Sequence, residues 1–163
     1  MNKKVRFITQ CALIAAIYIV LTLISNAMGL ASGVIQVRLS EMLTILPLFT
    51  PAAIPGLTIG CFLSNVITGC LLWDVIFGTL ATLAGAIGTY YLCKKYPLTG
   101  PIYPILANSI IVPFILQYVY NFEGSYFYFM LTVGIGEIIS CGAIGLILYK
   151  VLKKHHFERI VKL

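Results

Sequence analysis

Residues 37–43 read VRLSEML, with Arg38 and Glu41 three positions apart. No charged residue lies between Phe7 and Val37, and none between Met42 and Trp73. Spaced i, i+3 on a helix, the two side chains share one face. One plain reading is a mutual ion pair at a helix start. The sharper one is a partly buried pair at the mouth of a pocket, and the rest of the chain bears on the choice.

The surroundings are those of a membrane protein. The 163 residues are 60% hydrophobic and only 10% charged, with a mean hydropathy of +1.00. A soluble domain carries about 25% charged residues, so this chain does not cover a water-facing surface. The length suits one domain, 1–163, of several helices, with no room for a soluble enzyme domain beside it. The first apolar run, Phe7 to Ala27, exceeds the roughly 7–15 residues of a signal-peptide core, and no cleavage site follows it.

Other classes are excluded by what is missing. Cys11, Cys61, Cys70, Cys93 and Cys141 are odd in number and never in CxxC spacing, which argues against a disulfide framework and a zinc site. No GxSxG, HExxH or phosphate-binding loop occurs, so neither an enzyme nor a self-energised pump is expected. No inverted repeat is evident. The net charge of +6 reflects topology rather than nucleic acid.

Four stretches are long and apolar enough to cross a bilayer, at about 6–27, 74–93, 98–120 and 125–149. Lys3, Lys4 and Arg6 precede the first, and Lys94 and Lys95 follow the one ending at 93. Basic flanks belong in the cytoplasm. Residues 38–70 must therefore leave from and return to the outer face, as two crossings (38–50 and 54–70) or a re-entrant hairpin turning at PAAIPG. The expectation is an all-α bundle of six transmembrane helices with both termini cytoplasmic. Arg38 alone among the Lys and Arg residues then lies outside. The basic tail 150–163, KVLKKHHFERIVKL, reads as an inside anchor, with His155 and His156 solvated. A short, proline-bounded second helix is the kind that lines a cavity.

Four ionisable residues then stand at membrane depth or its outer edge: Arg38, Glu41, Asp74 and Glu137. Glu137 lies thirteen residues before Lys150, near the midplane at about 1.5 Å per residue. A charge there costs roughly 2.5–3.5 kcal/mol on insertion scales, so it faces protein or a cavity, either as a ligand group or as a helix–helix contact. Asn108, mid-helix in PILANSIIVPF, both donates and accepts; it suits a planar ligand edge, or holds two helices together. Pro113, just beyond it, kinks the helix and frees backbone groups. Trp73 and Asp74, in the next outer loop, can close a pocket from above. Tyr118, Tyr120, Tyr126, Phe127, Tyr128 and Phe129 form an interfacial belt, from which one or two can stack on a ligand. Ala12 and Ala16 make a small-xxx-small pair through which a second helix can approach α-helix one closely.

Together VRLSEMLTILP, PAAIPGLTIGC, WDVIFGTLATLAGAIGTYYL, ANSIIVP and GEIISCGAIG resemble the QueT family. Its members are predicted queuosine-precursor S components of energy-coupling-factor (ECF) transporters. The resemblance runs over about residues 5–150. It implies a compact six-helix S component in the cell membrane of a prokaryote that captures its solute from outside. It also implies partners: a transmembrane coupling subunit, docking through Ala12 and Ala16, and two ATPases that use ATP. The chain itself needs no cofactor and binds no nucleic acid. The implied solute is a 7-deazaguanine, either the aminomethyl precursor or queuine. Glu137 would accept its paired donors and Asn108 its carbonyl or pyrrole edge. Glu41 or Asp74 would receive an ammonium, and Trp73 or a tyrosine would cover the ring. Rivals are an S component for another vitamin or purine, a stand-alone proton-coupled carrier, and a structural factor without ligand.

Overall fold

The computed structural model describes residues 2–31, 35–93 and 95–161. Lys94 and Lys162, on which part of the charge reading rests, lie outside the described residues. The protein is an all-α membrane protein, with no strand among the described residues. Helix α1 runs Lys3–Ala27, capped by the Asn2 side chain. A 3-10 helix follows at Leu39–Leu48, then α2 (Ala53–Ile67), α3 (Leu72–Leu92) and α4 (Ile102–Tyr118). One long rod, Tyr126–Lys154, contains α5 (Tyr126–Glu137), a π-helical segment (Ile138–Ile144) and α6 (Gly145–Lys154). A short α7 (Phe157–Val161) ends it.

Four helices are long and apolar enough to cross a membrane: Lys3–Ala27, Leu72–Leu92, Pro97–Tyr118 and Tyr126–Lys154. The 3-10 helix and α2 are shorter. At about 2.0 Å per residue, ten residues of 3-10 helix cover roughly 20 Å, short of the ~30 Å hydrocarbon layer. The reversal between these two segments is earlier than the PAAIPG reading placed it. It occupies residues 49–52, while Pro55 sits in the first turn of α2. Proline is tolerated there because its missing N–H would have no intrahelical partner.

Close backbone approach sets the packing. A Cβ on Gly60 would stand 2.8 Å from the Tyr18 Cβ, and one on Gly85 would stand 2.7 Å from the Pro104 Cα. Small residues at these crossings let α2 lie against α1 and α4 against α3, the van der Waals route to association in lipid. Thr22 donates to the Ser40 hydroxyl at 2.9 Å, and the Leu39 N–H to Ser25 Oγ at 2.8 Å. These bonds fasten the 3-10 helix to α1. The apolar core is built on Tyr18, Leu43, Leu46, Leu57 and Ala86. Outside it, α1 presents Ile8, Leu13, Ile17, Val20 and Leu23, a surface suited to lipid tails.

The basic tail is more structured than an anchor reading suggests. Helix continues to Lys154, and α7 then turns back on α1. Arg6 donates to the Ile160 carbonyl and Gln10 Nε2 to that of Val161 at 3.1 Å, while Phe157 meets Phe49 edge-on. His155 and His156 are exposed.

Candidate functional site

The 3-10 helix carries the opening pair into the interior, but the two charges part company. Glu41 is only 2% exposed, and its Oε1 accepts the hydroxyl of Tyr18 from α1. Its Oε2 is buried without a hydrogen-bond partner. Arg38, half-buried at the N-cap of the 3-10 helix, makes no ion pair with Glu41 among the described residues. The guanidinium instead forms a wall common to two neighbouring chambers.

The inner chamber is lined by Arg38, Glu41, Asn108, Glu137, Gln36 and Thr82, among others. Glu137 and Asn108 are both buried, from α5 and α4 respectively. Gly136, the residue before Glu137, lies against the Gln36 carbonyl so closely that a side chain there would overlap it. That contact draws α5 onto the stretch leading to Arg38. At Glu137 the rod passes into its π-helical segment, a local widening frequent at functional sites. Cys141 then donates to Glu137 Oε2 at 3.1 Å and also approaches the Glu41 carbonyl at 3.4 Å. One carboxylate oxygen from each glutamate and the Cys141 sulfur lie within 4.8 Å of one another. The set is compact enough to hold a cation; in the present arrangement the thiol serves as a hydrogen-bond donor. The inner space is only about 20 Å³, room for roughly one water.

The outer chamber is larger, about 230 Å³, and shares Gln36, Arg38 and Val112 with the inner one. Asp74, in the first turn of α3 and 6% exposed, lines it with Asn65, Cys70 and Tyr120. Tyr120 donates to Asp74 Oδ2 at 3.0 Å and accepts from the Leu71 N–H at 3.3 Å. Burial, reinforced by the Asp74 charge, pushes the Tyr120 phenol up to about 12. It therefore keeps its proton and remains a donor at ordinary pH. Asp74 Oδ1 makes no hydrogen bond among the described residues.

Six sequence-selected polar and aromatic residues thus divide. Arg38, Glu41, Asn108 and Glu137 share the inner chamber, and Asp74 joins Arg38 in the outer one. Trp73 does not cover either. It is 54% exposed and stacks on Phe77 at 5.9 Å, because the helical step from Asp74 turns the neighbouring side chain outward. Ala12 and Ala16 lie exposed on α1. Sequence reasoning passed over Tyr18, Gln36, Asn65 and Cys141, and gave Tyr120 to the outer aromatic cluster rather than to Asp74. Asn65, an amide within an apolar helix, carried the same signal as Asn108. Cys141 stood one turn beyond Glu137. Nothing local marked Tyr18.

Fold and site together define an all-helical membrane protein that keeps polar and ionisable side chains around chambers inside an apolar bundle. The chain belongs to the QueT transporter family, whose model matches residues 8–154. It is 40% identical over 83 residues to the "Queuosine precursor transporter QueT" of Lactococcus lactis subsp. cremoris (strain MG1363), a segment covering 50% of this chain and 48% of that protein. The match therefore spans about half the length of that curated relative. No solved structure matches the chain. Family and relative are transporters, not enzymes.

Proposed function

We propose that the chain is the substrate-binding S component of an ECF transporter, capturing a queuosine precursor from outside a prokaryotic cell. In this reading the 3-10 helix and α2 complete six membrane segments, with both termini cytoplasmic. A separate transmembrane subunit docks on the exposed Ala12–Ala16 face, and its two ATPases supply ATP hydrolysis. The chain itself uses no cofactor.

One observation carries the reading: Glu41, Glu137 and Asn108 converge on a single chamber inside an apolar bundle that belongs to a transporter family. Insertion costs of about 2.5–3.5 kcal/mol per central charge are sustained only where the charge has a use. Two carboxylates and an amide suit the edge of a 7-deazaguanine, which offers adjacent N–H donors beside a carbonyl. The inner space admits one water, so the base edge reaches Glu137 only when the Arg38 and Gln36 side chains shift and join the two chambers. Such side-chain adjustment at a binding surface is common.

Mass spectrometry of ligand released from the purified protein tests the reading directly, with titration calorimetry to follow. A 7-deazaguanine is expected; a vitamin or an ordinary purine would replace the solute assignment. The adjacency of Glu41 and Glu137 also suits a proton-coupled carrier. Vesicles containing this chain alone separate the two: the S component binds without sustained uptake, whereas a carrier accumulates solute.

A further inference from the structure

The two ends of the chain meet. Helix α6 stops at Lys154, and the chain reverses through His156, whose φ of +53° is left-handed. A non-glycine residue stays in that region only where contacts elsewhere hold it. Here those contacts are long-range. Arg6 of α1 donates to the Ile160 carbonyl and Gln10 to that of Val161 at 3.1 Å, and Val161 is buried. Gln10 also accepts the Thr50 hydroxyl at 2.8 Å, so one side chain ties α7 to the turn before α2.

Positive charge accumulates where they meet. No acid precedes Glu41 in the chain, and Glu158 is the only one after Glu137. Arg6 is engaged by α7, and Lys153 stands over the Tyr149 ring at 5.6 Å. Glu158 lines a different recess, with Lys153 and Tyr149. Lys3, Lys4, Lys154 and Arg159 are exposed and make no ion pair among the described residues. Beside them, α1 has an open apolar recess of about 390 Å³, walled by Phe7, Ile8 and the stems of Lys3 and Lys4. Unpaired cations over an apolar wall, at one end of a membrane bundle, match a molecule with a negative head and hydrocarbon chains.

We propose that the folded-back tail and the start of α1 together form a binding site for an anionic phospholipid. The headgroup phosphate lies among Lys3, Lys4 and Arg159, and the first carbons of an acyl chain occupy the Phe7–Ile8 recess. A plain anchor would need only the charges, in any arrangement. This site needs α7 held against α1, because that contact brings Arg159, next to Ile160, beside the first turns of α1. It is independent of the solute that the chambers take.

The test titrates delipidated full-length protein in detergent with phosphatidylglycerol and with phosphatidylcholine of the same chains, counting bound lipid by native mass spectrometry. Wild type should favour phosphatidylglycerol by about tenfold or more. Lys3→Gln combined with Lys4→Gln should remove most of that preference. Gln10→Met keeps every charge but releases α7, and should weaken phosphatidylglycerol by about threefold or more, with phosphatidylcholine unchanged. If circular dichroism shows that Gln10→Met does not fold, Phe157→Ala, which loosens α7 from Phe49, takes its place. Equal affinity of wild type for the two lipids overturns the proposal. So does full preference in the folded α7-releasing variant, since the charges alone would then suffice. Displacement of the lipid by an equal concentration of glycerol phosphate overturns it as well, because the site would then read a free phosphate.

Discussion

Tyr18 of α1 donates its hydroxyl to Glu41 of the 3-10 helix, and both side chains are almost wholly inaccessible. The carboxylate that the local sequence pairs with Arg38 is thus held by a phenol from another helix. Glu41 Oε2 remains without a partner, so Tyr18 is the only side-chain donor holding this carboxylate among the described residues.

Removing that donor exposes the cost. Tyr18→Phe should lower stability by about 1–3 kcal/mol, the penalty of a buried acceptor left unpaired. Thermal unfolding in detergent would read it. With Glu41→Leu as the second change, which removes the acceptor, the double-mutant cycle should show coupling; additive effects within about 0.5 kcal/mol would mean that the bond contributes nothing.

Glu137→Gln should split stability from function. Deleting one member of the crowded Glu41–Glu137 pair relieves like-charge repulsion, so the melting temperature should hold or rise. Affinity for the deazaguanine should fall at least about tenfold, equivalent to roughly 1.4 kcal/mol. Unchanged affinity would retire Glu137 as a ligand group.

Cys70 offers a reporter of occupancy. It lines the outer chamber and is half-buried, whereas Cys61, Cys93 and Cys141 are buried. On the proposed topology, a membrane-impermeant thiol reagent applied from outside should modify Cys70, and bound solute should slow the reaction severalfold. A rate indifferent to saturating solute would place the binding site elsewhere.

The α1–α2 crossing should tolerate no added bulk. Gly60→Val would drive atoms into Tyr18 and the Ala15 backbone, 3.1 Å from the position of the first added carbon. Overpacking of this kind costs typically 1–3 kcal/mol. The same change at exposed Ala12 or Ala16 should leave the melting temperature and solute affinity alone. On the proposed S-component reading, ATP-driven uptake with a coupling subunit and ATPases present should fall; undiminished uptake would remove this face as a docking candidate.

Much of the architecture was legible before any coordinates, because hydropathy is a property of each segment by itself. Apolar length marked the four long helices, and composition marked the membrane. Rarity marked Arg38, Glu41, Asp74, Asn108 and Glu137, since an ionisable or amide group among hydrocarbon side chains stands out against its own neighbours. Local chemistry was less legible. The i, i+3 spacing of Arg38 and Glu41 left their separation unforeseen, and adjacency to Asp74 did not show that Trp73 stands exposed on Phe77.

What the tertiary structure alone decided is partnership. Tyr18 meets Glu41, Glu41 meets Glu137 and Cys141, and Tyr120 meets Asp74 across long separations in the chain. Those meetings depend on how close one backbone can come to another, at Gly60 and Gly136 above all. Hydrophobic pattern sets which segments enter the bilayer, but only their packing angles and contacts set which polar atoms face each other once water is gone.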